Sequence, residues 1–161
     1  MRCSVFWIID KGKNIGDIMN FLSENLAIVA TVDPDAYTTG DQTTDVVDMS
    51  THDRVLFIVM AGALGSSATL NFKVYGDTAS GGSFATQITG KEITPLTQAG
   101  TDSDKQAIVE VSGAEAQAQG FRYLRGTLTV GVATSDAGVI AVADGRYAPV
   151  DSLASLDQVV A

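Results

Sequence analysis

The sequence predicts an all-β domain, an antiparallel β-sandwich of jelly-roll-like type with one short helix. Three observations carry that expectation. About seven short apolar or alternating segments are separated by turns rich in Gly, Thr, Ser and Asp, which is the spacing of sandwiches and jelly rolls. Only one short stretch has helix-start and helix-stop signals, whereas a parallel sheet needs a crossover helix between successive strands. Of the 161 residues, 45% are hydrophobic and 18% charged, a balance that builds a core and excludes a disordered tail.

The elements follow in order. Leu26 to Val32 is a short apolar run suited to a buried strand, and Asp33-Pro34-Asp35 reads as the turn that ends it. Thr38-Thr39-Gly40-Asp41 is a second turn, and the β-branched, mostly polar Thr43 to Met49 suits an edge strand. Val55-Leu56-Phe57-Ile58-Val59-Met60 has no polar face, so it is expected to be a central strand with both faces covered. Gly62 to Ser67 is a loop. Leu70, Phe72 and Val74 then alternate with Asn71, Lys73 and Tyr75, the period of a half-buried strand. Residues 76–82 form a hairpin-type connection, and Phe84 to Ile93 is a strand broken near Gly90 and stopped by Pro95.

After a polar loop from Ala99 to Lys105, Ala107 to Val111 is a strand. Ser112 and Glu115 then have capping-box spacing and Gly120 stands where a left-handed residue ends a helix, so a helix of about two turns is expected over Gly113 to Gln119. Phe121 to Val132 is expected to be the longest strand, and Val139 to Ala143, after the turn 134–138, its hairpin partner. Asp144-Gly145 closes that segment as a turn. Leu153, Leu156 and Val159/Val160 stand at helix-like spacing in the tail. The domain reading is therefore 1–18 as an N-terminal arm or upstream extension (Met19 offers a second start), 19–150 as the sandwich, and 151–161 as a C-terminal tail.

Charge and chemistry narrow the function. Ten basic and nineteen acidic residues give a net charge of −9, which disfavours nucleic acid as a partner. The apolar run Val5 to Ile9 is five residues long, against about 20 for a membrane-spanning helix, so no membrane association is expected. Cys3 is the only cysteine and His52 the only histidine. A structural zinc site is therefore not expected, and a hydrolase triad would rest on His52 alone. Gly62-Ala63-Leu64-Gly65-Ser66 lacks the order of a nucleophile elbow. Gly90-Lys91 is preceded by Ala85 and followed by Glu92 where a phosphate loop needs Gly and Ser/Thr. Asp33/Asp35 and Asp102/Asp104 offer loop carboxylates for at most a weak calcium site. The reading is of a non-enzyme with no cofactor.

Arg122, Arg125 and Arg146 with Tyr123 and Tyr147 form the one basic–aromatic grouping. In so acidic a chain they are expected to pair with carboxylates inside the domain or across a subunit contact. The candidate contact residues are these five, together with Phe6, Trp7 and Ile8 in the arm and Leu153 and Leu156 in the tail.

Three stretches carry a family resemblance. They are Thr43-Thr44-Asp45-Val46-Val47-Asp48-Met49-Ser50, then Arg54 to Val59 with Gly62 and Ala68 to Val74, then Gly120-Phe121-Arg122-Tyr123-Leu124-Arg125-Gly126-Thr127-Leu128-Thr129. With them the chain resembles small virion structural proteins of tailed bacteriophages and prophages over about residues 19–150, while 1–18 lie outside the pattern. The resemblance implies a β-sandwich without enzymatic activity, most of all a capsid decoration (cement) protein that binds between capsomers. A head–tail connector, tail or fibre component is the alternative, and a carbohydrate-binding module or small enzyme a more distant one. It further implies the major capsid protein and the chain itself as partners, as a dimer or trimer, and location in the virion.

Overall fold

The computed structural model describes residues 25–145, which form ten strands and one helix. They are β1 Leu26–Tyr37, β2 Gly40–Thr43, β3 Val47–Asp48, β4 His52–Leu64, β5 Thr69–Asp77, β6 Thr86–Glu92, β7 Leu96–Thr97, β8 Gln106–Ser112, α1 Gly113–Ala118, β9 Tyr123–Gly131 and β10 Ser135–Gly145. All strand pairings are antiparallel. One sheet has the order β1-β10-β4-β8. The other has the order β2-β9-β5-β6, with β3 also on β9 and β7 also on β5.

The two short pairs are interrupted edges. β2 and β3 lie on β9, and between them Thr44 exchanges bonds with Gly126 in both directions, through its backbone N–H at 2.9 Å and its hydroxyl oxygen at 3.0 Å. β6 and β7 likewise share β5, bridged by Ile93 N–H to the Phe72 carbonyl at 3.1 Å. Counting each edge as one strand leaves eight strands, ordered 1-8-3-6 and 2-7-4-5. Strand 1 pairs with 8, 2 with 7, 3 with 6 and 4 with 5, which is a long hairpin rolled on itself. The double Greek key of a jelly roll has this order.

Alternation places the core. β5 runs half-buried and buried by turns from Thr69 to Asp77, and β9 does the same from Tyr123 to Val130 except for exposed Thr129. Their inward residues meet those of β4 and β10 between the sheets. At the centre the rings of Phe57 and Phe72 pack 5.4 Å apart at 47°. Both side chains are fully buried. Gly126 leaves the room that the Phe72 ring needs, since a Cβ there would stand 2.7 Å from Phe72 Cε2.

Several sequence expectations hold. β4 is central and β5 alternates. The helix carries the capping box of Ser112 and Glu115, with Gly120 left-handed at φ +83. Others need correction. Asp33-Pro34-Asp35 does not end the first strand: β1 runs through it to Tyr37, with irregularities between Ile28 and Ala30 and between Val32 and Asp35. β1 is an edge strand, where a proline costs no ladder bond and a bulge absorbs the misfit. Residues Gly40 and Asp41 belong to β2 rather than a turn, and β4 extends three residues, Gly62 to Leu64, into the loop expected from Gly62. The longest strand is β4, of 13 residues, and not β9, of 9.

The β9–β10 hairpin is also overturned. β9 lies in one sheet and β10 in the other, joined by 132–134 with Val132 at φ +73. The cause is partner choice, since β10 pairs with β1 on one side and β4 on the other. Those pairings reach back to Ser135 and on to Gly145, so both expected flanking turns are strand.

Phe57→Ala is expected to destabilise the domain by about 3–5 kcal/mol, because it empties the contact between the sheets. Urea denaturation followed by circular dichroism would measure it.

Candidate interaction surfaces

The two outer faces of the sandwich differ in chemistry. On the β2-β9-β5-β6 sheet the outward positions of β5 are Thr69, Asn71, Lys73, Tyr75 and Asp77, and those of β9 include Arg125, Thr127 and Thr129. Lys73 pairs with Glu92 at 3.3 Å, and the Thr129 hydroxyl donates to Asp41 at 2.6 Å. This face is polar.

The other face is apolar, and strand register assembles it. In one cross-strand row Thr31, Ile140, Ile58 and Ile108 stand side by side across β1, β10, β4 and β8. The next row is Ile28, Val142, Leu56 and Glu110. On the other side of the first row, Met60 stands between Gly138 and Gln106. Ile28, Ile140, Val142, Leu56, Ile58 and Met60 are half-buried, and Ile108 is 66% exposed. At the Met60 end the face dips into a shallow concavity of about 520 Å³ lined by Pro34, Met60, Gly138 and their neighbours. Asp35 and Asp136 line the concavity at the Met60 end, and Arg54, Asp144 and Glu110 gather at the opposite end. There the Arg54 N–H donates to Asp144 at 2.6 Å, and its guanidinium lies 4.0 Å from Glu110.

Covering of both faces of Val55 to Met60 was the expectation, and here the structure departs from it. Val55, Phe57 and Val59 enter the core, while Leu56, Ile58 and Met60 remain half-buried on the outer face. No described element packs over them as a third layer; the remaining helix, α1, lies at the Ser112 end of β8. The Val55–Met60 run signalled a two-sided apolar strand. That Ile140, Val142 and Ile108 stand beside it became visible only with the register.

The arginine cluster has partners within the domain. Arg122 grips Asp48 through Nε at 2.9 Å and Nη2 at 2.6 Å, tying the start of β9 to β3, and its guanidinium stands 4.9 Å from the Tyr123 ring. Its bond to Asp48 pulls that carboxyl down to about 2. Arg125 lies over the Phe84 ring at 4.4 Å. Phe6, Trp7, Ile8, Arg146, Tyr147, Leu153 and Leu156 lie outside the described residues.

Lys91 makes a second electrostatic brace, now between the sheets. Its ammonium reaches Glu115 and the carbonyl of Glu110, both at 2.8 Å. Together with the Ser112 capping bonds, this holds the Glu115 carboxyl at about 2. The acidic loop pairs serve their own loops. Asp102 takes Lys105 at 2.8 Å and the Thr97 N–H at 3.0 Å, and Asp35 takes the Ala36 N–H at 2.7 Å. Among the described residues no three His, Cys, Asp or Glu side chains stand together as a metal group, and no helix is long and apolar enough to cross a membrane. His52 directs Nδ1 to the Asp144 carbonyl at 3.2 Å. No protein-family model and no curated protein matches the chain.

The Asp48–Arg122 bridge predicts a pH signature. A carboxyl at about 2 in the folded protein and near 4 when unfolded stabilises the fold fully above pH 4, and that contribution fades as pH falls toward 2. The stability gap between wild type and Asp48→Asn is expected to be constant from pH 5 to 7 and to shrink below about pH 4. Denaturation midpoints across that range would measure it.

Proposed function

We propose that the protein is a non-enzymatic structural component of a tailed-phage virion, acting as a head decoration protein that adheres between capsomers. The observation that carries this reading is the apolar outer face of the β1-β10-β4-β8 sheet. A chain of net charge −9 that leaves rows of Ile, Leu, Val and Met on a flat sheet has a surface suited to adhesion, because removing such area from water is favourable wherever a complementary surface exists. A jelly roll supplies a rigid block on which to mount it, and viral capsid domains are among the users of that architecture. The resemblance of residues 43–50, 54–59 with Gly62, 68–74 and 120–129 to phage virion proteins supports the same reading. The polar chemistry found is structural: the charged pairs brace strands and cap a helix. On this reading the partners are the major capsid protein and further copies of the chain, the location is the virion, and no cofactor is used.

Particles assembled with and without this gene product would test the proposal. The expected result is extra density at capsomer junctions and co-sedimentation of the protein with purified heads. Density at the neck or tail would replace the decoration role with a connector or fibre role, and a protein left wholly in the soluble fraction would overturn the virion assignment. Removing residues 1–18 or 151–161 is expected to lower occupancy on heads, scored by gel densitometry; unchanged occupancy in both would free the arm and tail from that role.

A further inference from the structure

We propose that the apolar face of the β1-β10-β4-β8 sheet is the docking surface for a second copy of this chain, stacked face to face about a two-fold axis. The inference rests on the adhesive reading above and names the partner of that face.

Edge-to-edge addition is disfavoured on both sides of this sheet. β1 carries Pro34 and two irregularities, which spoil the ladder a new strand would need. On β8 the Lys91 ammonium occupies the carbonyl of Glu110 at 2.8 Å, and a lysine on an edge is a standard block to strand addition. The face itself is what remains open.

Its size suits a copy of itself. Four strands about 4.8 Å apart, over some 25 Å of β4, give a footprint of roughly 500 Å² per chain before corrugation is counted. Two such faces together reach the ~1,000 Å² that a specific interface needs, with most of that area apolar. Two sheets packed in this way stand about 10 Å apart with strands nearly aligned, the same geometry that already joins the two sheets of the sandwich.

Charge favours the two-fold arrangement. Two chains of −9 repel, so they approach best through a surface whose centre is uncharged. The Ile58 row holds Thr31, Ile140 and Ile108 and no charged residue. Acids lie at both ends, Glu110 and Asp144 beside Arg54 at one and Asp35 and Asp136 at the other. An antiparallel two-fold stack brings the Arg54 end of each copy over the Asp35 and Asp136 end of the other, which sets Arg54 toward those carboxylates and avoids stacking the two wholly acidic ends on each other.

Sedimentation equilibrium of the full chain is the test. Wild type is expected at twice the chain mass of 16.8 kDa at micromolar concentration. Ile58→Asp places two carboxylates at the centre of the contact and is expected to weaken dimerisation by a hundredfold or more, on the order expected for a buried unpaired charge. Ile108→Lys, at a position already 66% exposed, is expected to weaken it with unchanged circular dichroism, which keeps the test valid should the first variant misfold. Thr127→Lys, on the polar face, is expected to leave the dimer intact. A wild-type monomer, or a dimer that survives both substitutions, overturns the inference. A monomer that still decorates heads removes the self-contact and leaves the virion role standing, whereas a face-dependent dimer absent from particles does the reverse.

Discussion

Burial of alternate side chains between two sheets is the constraint on which the domain depends, and the Phe57–Phe72 contact is where it is most concentrated. Phe57 belongs to β4 and Phe72 to β5, consecutive strands in opposite sheets, so this one contact closes the sandwich at a turn of the roll. Its geometry reaches further than the two rings. Gly126 must lack a side chain to admit Phe72, and the same Gly126 backbone is held by Thr44 at the interrupted edge. The residue that makes room for the core is thus also the one that fixes the edge strand, and a slip of either strand by one residue would turn its apolar set outward.

That same period of two makes the outer apolar face informative. A strand with one face in the core satisfies its burial with every second residue, as β5 does with Leu70, Phe72 and Val74. β4 goes beyond this, with Leu56, Ile58 and Met60 on the side that the sandwich does not need. β10 repeats the pattern with Ile140 and Val142. An isolated exposed apolar residue needs no explanation, whereas a contiguous set across four strands marks a contact surface.

Much of the fold was legible in the sequence where the signal is local. The alternation of β5, the apolar run of β4 and the capping box of α1 are properties of neighbouring residues, and each survives in the structure. Partner choice is not local. Phe121–Val132 and Val139–Ala143 look like hairpin partners because they are close in sequence, yet β10 finds β1 and β4, whose paired residues lie 71 to 118 positions earlier. Pro34 misled for a related reason. A proline ends a central strand but is tolerated on an edge, and edge status is set by the whole sheet. Arg122 was legible as half of a charge pair, though its partner Asp48 comes from a distant segment, whereas Arg125, also expected to meet a carboxylate, lies over the Phe84 ring instead.

The two kinds of surface chemistry divide the work of the molecule. Charged pairs in this chain act within the domain: Arg122 to Asp48 and Lys91 to Glu115 tie separate elements together, and Lys105 to Asp102 braces a single loop. Exposed pairs of this kind add little net affinity between molecules, since water and salt screen them. Using them inside the domain fixes its shape and lowers the number of bare cations, which leaves an acidic exterior. In the proposed dimer, an acidic exterior would keep copies apart over most of the surface, so the charge balance that discourages random association would direct contact to the apolar sheet. Specificity of that proposed contact would come from repulsion over most of the surface as much as from attraction at one face.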